Sequence, residues 1–134
     1  MWSSPKVLGE CAKLKEAGYK PRFKPGSKVA RQFADLGVEE FCVLPQGKLL
    51  SLLTGDVAEL KEADKEFFFA VPSVDDMAEE IEQRSFNIIS LCFEDRRRWR
   101  LLVVREGGGG ELTAEGGSLE EVFLAALRLI LRGS

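Results

Sequence analysis

Phe86-Asn87-Ile88-Ile89-Ser90-Leu91-Cys92-Phe93, then Glu94-Asp95-Arg96, then Arg97-Arg98-Trp99-Arg100-Leu101-Leu102-Val103-Val104 is the stretch on which the fold turns. Two runs rich in branched and aromatic residues flank a tight polar turn, the pattern of two strands joined as a hairpin. On the N-terminal side, Ser73 caps a helix whose Asp75 and Asp76 sit at the positive end of the dipole. Met77 and Ile81 of that helix are expected in the core, with Glu79, Glu80 and Glu82 in water. On the C-terminal side, Gly107 to Gly110 reads as a flexible loop and Glu111 to Ala114 as a short third strand. Ser118-x-x-Glu121 is a capping box that opens a last helix, with Arg128 and Arg132 at its negative end.

The first half is read by the same punctuation. Ser4-Pro5 starts a helix carrying Val7, Leu8, Cys11 and Leu14 at helical spacing, and Gly18 stops it. Tyr19 to Lys24, with Pro21, is an edge strand or a loop. Val29, Phe33 and Leu36 predict a second helix from Ser27 to Gly37. Residues 40–44 and 48–53 flank Pro45-Gln46-Gly47 as a hairpin, and 56–63 read as one or two helical turns. Phe67 to Val71 is a buried strand ended by Pro72. Hairpins rather than crossovers give an α+β fold, with antiparallel hairpin-based sheets covered by helices. Two similar halves, 1–71 and 72–134, are expected to pack as one compact unit. Helix, strand, turn, strand, helix can be read across both 28–63 and 74–132, a faint internal duplication.

The capped acidic helix, the two strands with Trp99, and Thr113-Ala114-Glu115-Gly116-Gly117-Ser118-Leu119-Glu120-Glu121 opening an Ala-containing helix resemble small bacteriophage and prophage proteins. These are the alpha-beta-alpha (ABA) sandwich proteins, and the resemblance covers residues 72 to 132. It implies a viral or mobile-element accessory protein and carries over no catalytic residue.

Composition narrows the chemistry. The 134 residues contain no histidine, so Ser-His-Asp and Cys-His nucleophile systems and His-ligated zinc are excluded. Cys11, Cys42 and Cys92 form no C-x-x-C pair, and each lies in an apolar run, as buried inert thiols do. Reduced cysteines and the lack of a secretory signal or membrane span place the chain in a cytosol. Few Asn and Gln beside many Glu, Lys and Arg is a thermophile-like composition. Net charge is -3 but uneven, with +6 over 1–31, -10 over 32–83 and +1 over 84–134. The basic first third is expected to pack against the acidic middle third, or to be steered to an acidic partner.

Two strings bear on binding. In Arg96-Arg97-Arg98-Trp99-Arg100, strand alternation places Arg96, Arg98 and Arg100 on one face, about 7 Å apart, and Trp99 on the other. Such a row suits phosphates or a carboxylate-rich partner, or it is a solvated face paired to Glu94, Asp95 or the acidic helix. An inward Trp99 weighs against base stacking, which makes nucleic acid the second choice. The last helix is apolar around most of its circumference, so it either lies at the centre of the domain or is covered by a second copy. A homodimer with Leu124, Leu127 and Leu131 at its interface is the economical expectation. The carboxylates at 75, 79 and 82 share a helical face, but no calcium loop accompanies them. Nor does Gly107–Gly110 have the helix start and Lys-Ser/Thr of a phosphate loop. The expectation is therefore a non-enzymatic protein with no cofactor and no metal, which binds a host or self protein and no membrane.

Overall fold

Tertiary pairing overrode helical spacing near residue 30. Val29 and Phe33 are four apart, as on a helix, but with Arg31 they also alternate as on a strand. The computed structural model, which describes residues 3–33, 37–94 and 98–133, has strand β1 at Lys28–Phe33 instead of a helix. Branched and aromatic side chains favour the pleated surface, and residues 37 onward return antiparallel to it. Leu36, the last residue of the expected helix face, lies outside the described residues.

The chain is α+β and divides into two compact units, Met1–Pro72 and Ser73–Ser134. In the first, helix α1 (Pro5–Glu16) starts where Ser4 accepts from the Val7 N–H and proline occupies the first turn. Four more strands follow β1: β2 (Gly37–Leu44), β3 (Lys48–Ser51), β4 (Val57–Glu59) and β5 (Phe68–Ala70). The expected hairpin is formed by β2 and β3, with the turn made by Gln46 and Gly47 at φ 66° and 70°. Residues 56–63, expected as helical turns, instead give β4 and the start of a 3-10 helix, Glu62–Phe67. The sheet order is β4-β3-β2-β1-β5, with antiparallel neighbours throughout.

Register sorts the side chains of this sheet by face. Val29, Phe41, Val43, Leu49 and Phe68 form one core cluster, with Phe23, Phe33 and Leu60 packed on it. Ala30, Glu40 and Phe69 lie on the other face, which α1 covers with Leu8, Cys11 and Leu14. Glu40 is buried there but fully engaged. It accepts from the Ser3 N–H and Oγ at 2.6 and 3.0 Å, and Lys28 Nζ lies 3.4 Å away. The Lys28–Glu40 pair joins the basic first third to the acidic middle third, as the charge pattern leads one to expect.

The second unit matches the expected order closely. Helix α2 (Val74–Gln83) opens with a reciprocal capping box between Ser73 and Asp76, and buries Met77 and Ile81. Glu80, expected in water, is buried as well, and its carboxylate accepts from Arg84 Nε at 2.7 Å. Strands β6 (Phe86–Glu94), β7 (Arg98–Arg105) and β8 (Glu111–Gly116) form an antiparallel meander in that order, and helix α3 (Leu119–Arg132) closes the unit. α3 packs on β7, β8 and α2, and α2 packs on β6, so both helices share one face of the sheet. Gly116 allows this closeness, because a Cβ there would stand 2.7 Å from the Val122 nitrogen. Among the described residues only this unit has the helix-hairpin-helix order; residues 28–63 contain four strands and no α-helix, so the two segments do not repeat one another. Among the described residues no helix is long and apolar enough to cross a membrane.

Candidate functional site

Register in the C-terminal sheet assigns each residue of the arginine string. Trp99, Leu101 and Val103 pair with Gly116, Ala114 and Leu112, on the face covered by the helices. Arg98, Arg100, Leu102 and Val104 therefore lie on the opposite face, which among the described residues no helix of this unit covers. Arg98 and Arg100 are exposed and two residues apart, as the alternation predicts. Arg96, the third of the expected row, lies outside the described residues.

Arg100 is the centre of a cross-strand ion-pair triad. Its two terminal nitrogens stand 2.8 Å from Glu94 of β6 and 3.2 Å from Glu115 of β8. All three side chains are roughly half exposed, so the triad orders the arginine more than it stabilises the fold. Arg98 lies opposite Glu94 in the ladder, and among the described residues it forms no ion pair. The outer face thus presents one arginine held by two carboxylates, a second beside it, and half-buried Leu102 and Val104. The two arginines and the two carboxylates, Glu94 and Glu115, balance in charge beside this apolar floor.

The helix interface expectation does not survive. Leu124, Leu127 and Leu131 are 2%, 0% and 8% exposed within a single chain, so they have no surface to offer a second copy. The physical reason is that α3 is flanked by α2 and by β7 and β8, which bury more of its circumference than an amphipathic surface helix gives up. The one large apolar side chain that α3 leaves exposed is Leu129.

Exposed apolar area lies instead on β6, where the sequence reading looked for none. Ile89 and Phe93 are each 57% exposed and Leu91 is 39% exposed. Phe93 leans on Trp99, ring centroids 5.0 Å apart. β6 is an outer strand of its sheet, and a bulge between Ile88 and Ser90 interrupts its pairing with β7. Cys92 on this strand is exposed and Cys42 is half-buried, so the expectation of three buried thiols holds only for Cys11. Burial pushes the Cys11 thiol up to about 12, with Glu40 adding to the rise and Lys28 opposing it.

The remaining features are structural. Gly107–Gly110 closes the β7–β8 hairpin, with the Arg105 N–H donating to the Gly110 carbonyl. A pocket of about 150 Å³ beside it is lined by Phe86, Arg105, Leu129 and Ile130, among others, and the Arg105 guanidinium lies 4.8 Å from the Phe86 ring centre. Among the described residues no three Cys, Asp or Glu side chains converge to hold a metal ion. No family model, no curated protein and no solved structure matches this chain.

Proposed function

We propose that this chain is a non-enzymatic protein that binds another protein through the outer face of its C-terminal sheet. The observation that carries the reading is the pair of exposed arginines, Arg98 and Arg100, side by side on a sheet face that the unit's own helices leave uncovered. A guanidinium takes a carboxylate with two parallel hydrogen bonds, so Arg98 is the group that meets an acidic side chain of the partner. Arg100 is already held by Glu94 and Glu115 and joins the contact only by exchanging one of them. On the resemblance of residues 72 to 132 to phage proteins, the partner is a host factor of the transcription or defence machinery.

Capture from host lysate with the wild-type chain and with the double variant Arg98→Glu/Arg100→Glu tests this. Loss of one acidic protein from the variant's eluate is expected, and identical recoveries contradict it. Direct nucleic-acid binding is the competing outcome. It would appear as retention on DNA or RNA at low salt, lost steeply as salt rises. The carboxylates beside Arg100 and the position of Trp99 on the helix-covered face favour the protein partner.

A further inference from the structure

We infer that the N-terminal unit carries a contact surface of its own, a cationic ribbon at residues 20–25 bordered by aromatic rings, and that this surface takes single-stranded nucleic acid. It lies in a different unit from Arg98 and Arg100, and it does not depend on the function proposed above.

Between Glu16 and Asp35 the chain has five cations and no carboxylate. Lys28 is held by Glu40 at 3.4 Å. Lys20, Arg22 and Lys24 are all exposed, at every second position, while Tyr19 turns inward and Phe23 is half-buried. The net charge over 32–83 is -10. Even so, among the described residues no carboxylate pairs with Lys20, Lys24 or Arg31. The chain's own acidic third therefore leaves these cations for an anion from outside.

The ribbon is held in one conformation before any ligand arrives. Pro21 and Pro25 fix their own φ and restrict the residues before them, Lys20 and Lys24, to extended backbone. Phe23 adopts φ 52°, a left-handed conformation that a bulky residue rarely takes, and its ring is packed edge-on against Phe68 with centroids 6.0 Å apart.

Rings and cations continue from Phe23 across the sheet. The Arg31 guanidinium lies 4.9, 5.0 and 5.8 Å from the ring centres of Phe33, Phe67 and Phe68, and Lys65 Nζ lies 5.4 Å from that of Phe23. Phe67 is 51% exposed, which leaves ring surface for a base. Lys65 is held by Glu62 at 2.8 Å and Glu66 is exposed next to it, so Lys20, Arg22 and Lys24 are the groups that meet phosphate. An acidic peptide would use the cations alone. A single strand uses both features, its backbone on the cations and its bases on the rings, whereas a duplex keeps its base faces stacked. Trp99, turned to the helix-covered face, gives the C-terminal arginines no such ring.

Fluorescence anisotropy of a labelled oligothymidylate with the full chain tests this. Binding at low salt is expected. Lys20→Ala/Lys24→Ala should flatten the slope of log affinity against log salt by about 1.4, roughly 0.7 for each lost cation. Phe67→Ala should weaken binding roughly ten-fold with the slope unchanged. Phe67→Leu, which keeps the apolar bulk without the ring, should do the same, and far-UV circular dichroism checks that each variant is folded. No binding at low salt, an unchanged slope in the lysine variant, or wild-type affinity in folded Phe67→Leu overturns the inference. So does a duplex bound as tightly as the single strand, or polyglutamate competing as well as oligothymidylate. Arg98→Glu/Arg100→Glu is expected to bind oligothymidylate as the wild type does. Binding that this variant loses would put nucleic acid on the C-terminal sheet and contradict both readings; a failed protein capture with oligothymidylate still bound would remove only the proposed function.

Discussion

The five-stranded sheet of the N-terminal unit has α1 against one face and a cluster of Phe23, Phe33 and Leu60 packed on the other, and its outermost strands are only three residues long. The three-stranded sheet of the C-terminal unit puts both helices on one face and leaves a nine-residue strand at its edge. The first arrangement buries most of the sheet's apolar side chains, leaving Val38 of β2 and Val57 of β4 exposed. The second keeps a well-filled core between sheet and helices, yet leaves Ile89, Leu91 and Phe93 in water. Exposed apolar area of this kind is where binding surfaces are found. The difference is that the exposed apolar residues of the second sheet lie together on one outermost strand, whereas those of the first unit are scattered.

Truncating α3 should have the largest effect. Leu127→Ala removes a side chain with no exposed surface, and is expected to cost roughly 2–5 kcal/mol in denaturant unfolding. A cost under about 0.5 kcal/mol would contradict its place in the core.

Glu40→Ala probes the N-terminal unit. It strips the partner from the Ser3 N–H and from Lys28 under α1, at a cost of about 1–3 kcal/mol. A neutral result would mean that α1 is not held by this carboxylate.

Cys11 sharpens the same contrast through pH. The unfolded thiol ionises near 9 and the folded one near 12, so the unfolded state releases its proton first and stability falls as pH rises above 9. The loss from this group is about 1.4 kcal/mol by pH 10. Cys11→Ala should lack that component, seen as a shallower decline of stability with pH than in the wild type. Parallel declines would show that the thiol is not buried as described.

Arg100→Ala should have the smallest effect on folding, within about 1 kcal/mol, because its carboxylate partners are half exposed. A cost several times larger would make the triad a structural element and weaken its role as a contact.

Much of the C-terminal unit was legible because its signals are local. Ser73 and Ser118 as caps, the 3.6-residue spacing of Met77 and Ile81, and the polar turn between two apolar runs each depend on near neighbours. The alternation that put Trp99 opposite Arg98 and Arg100 is equally local. Residues 28–33 misled because Val29 and Phe33 satisfy both periods, and only pairing with β2 and β5 decides between them. Glu80 was misplaced because nothing in the helix pattern reveals that Arg84, one turn on, accompanies it inward.

The proposed contact surface was half visible. The arginines announce themselves, but the exposure of Ile89, Leu91 and Phe93 follows from β6 being outermost, and strand order is not written in any one strand. The lack of lysine or proline in Phe86–Phe93 was the available signal. For α3, an apolar circumference showed that something covers it, though not that α2 and the sheet of its own chain do so.

Hydrogen exchange read by mass spectrometry compares the two sheets in one experiment. Peptides spanning 86–94, an outermost strand, should exchange faster than those spanning 37–44, a strand paired on both sides. Equal protection of the two would contradict an open outer strand at β6 and the contrast drawn between the sheets.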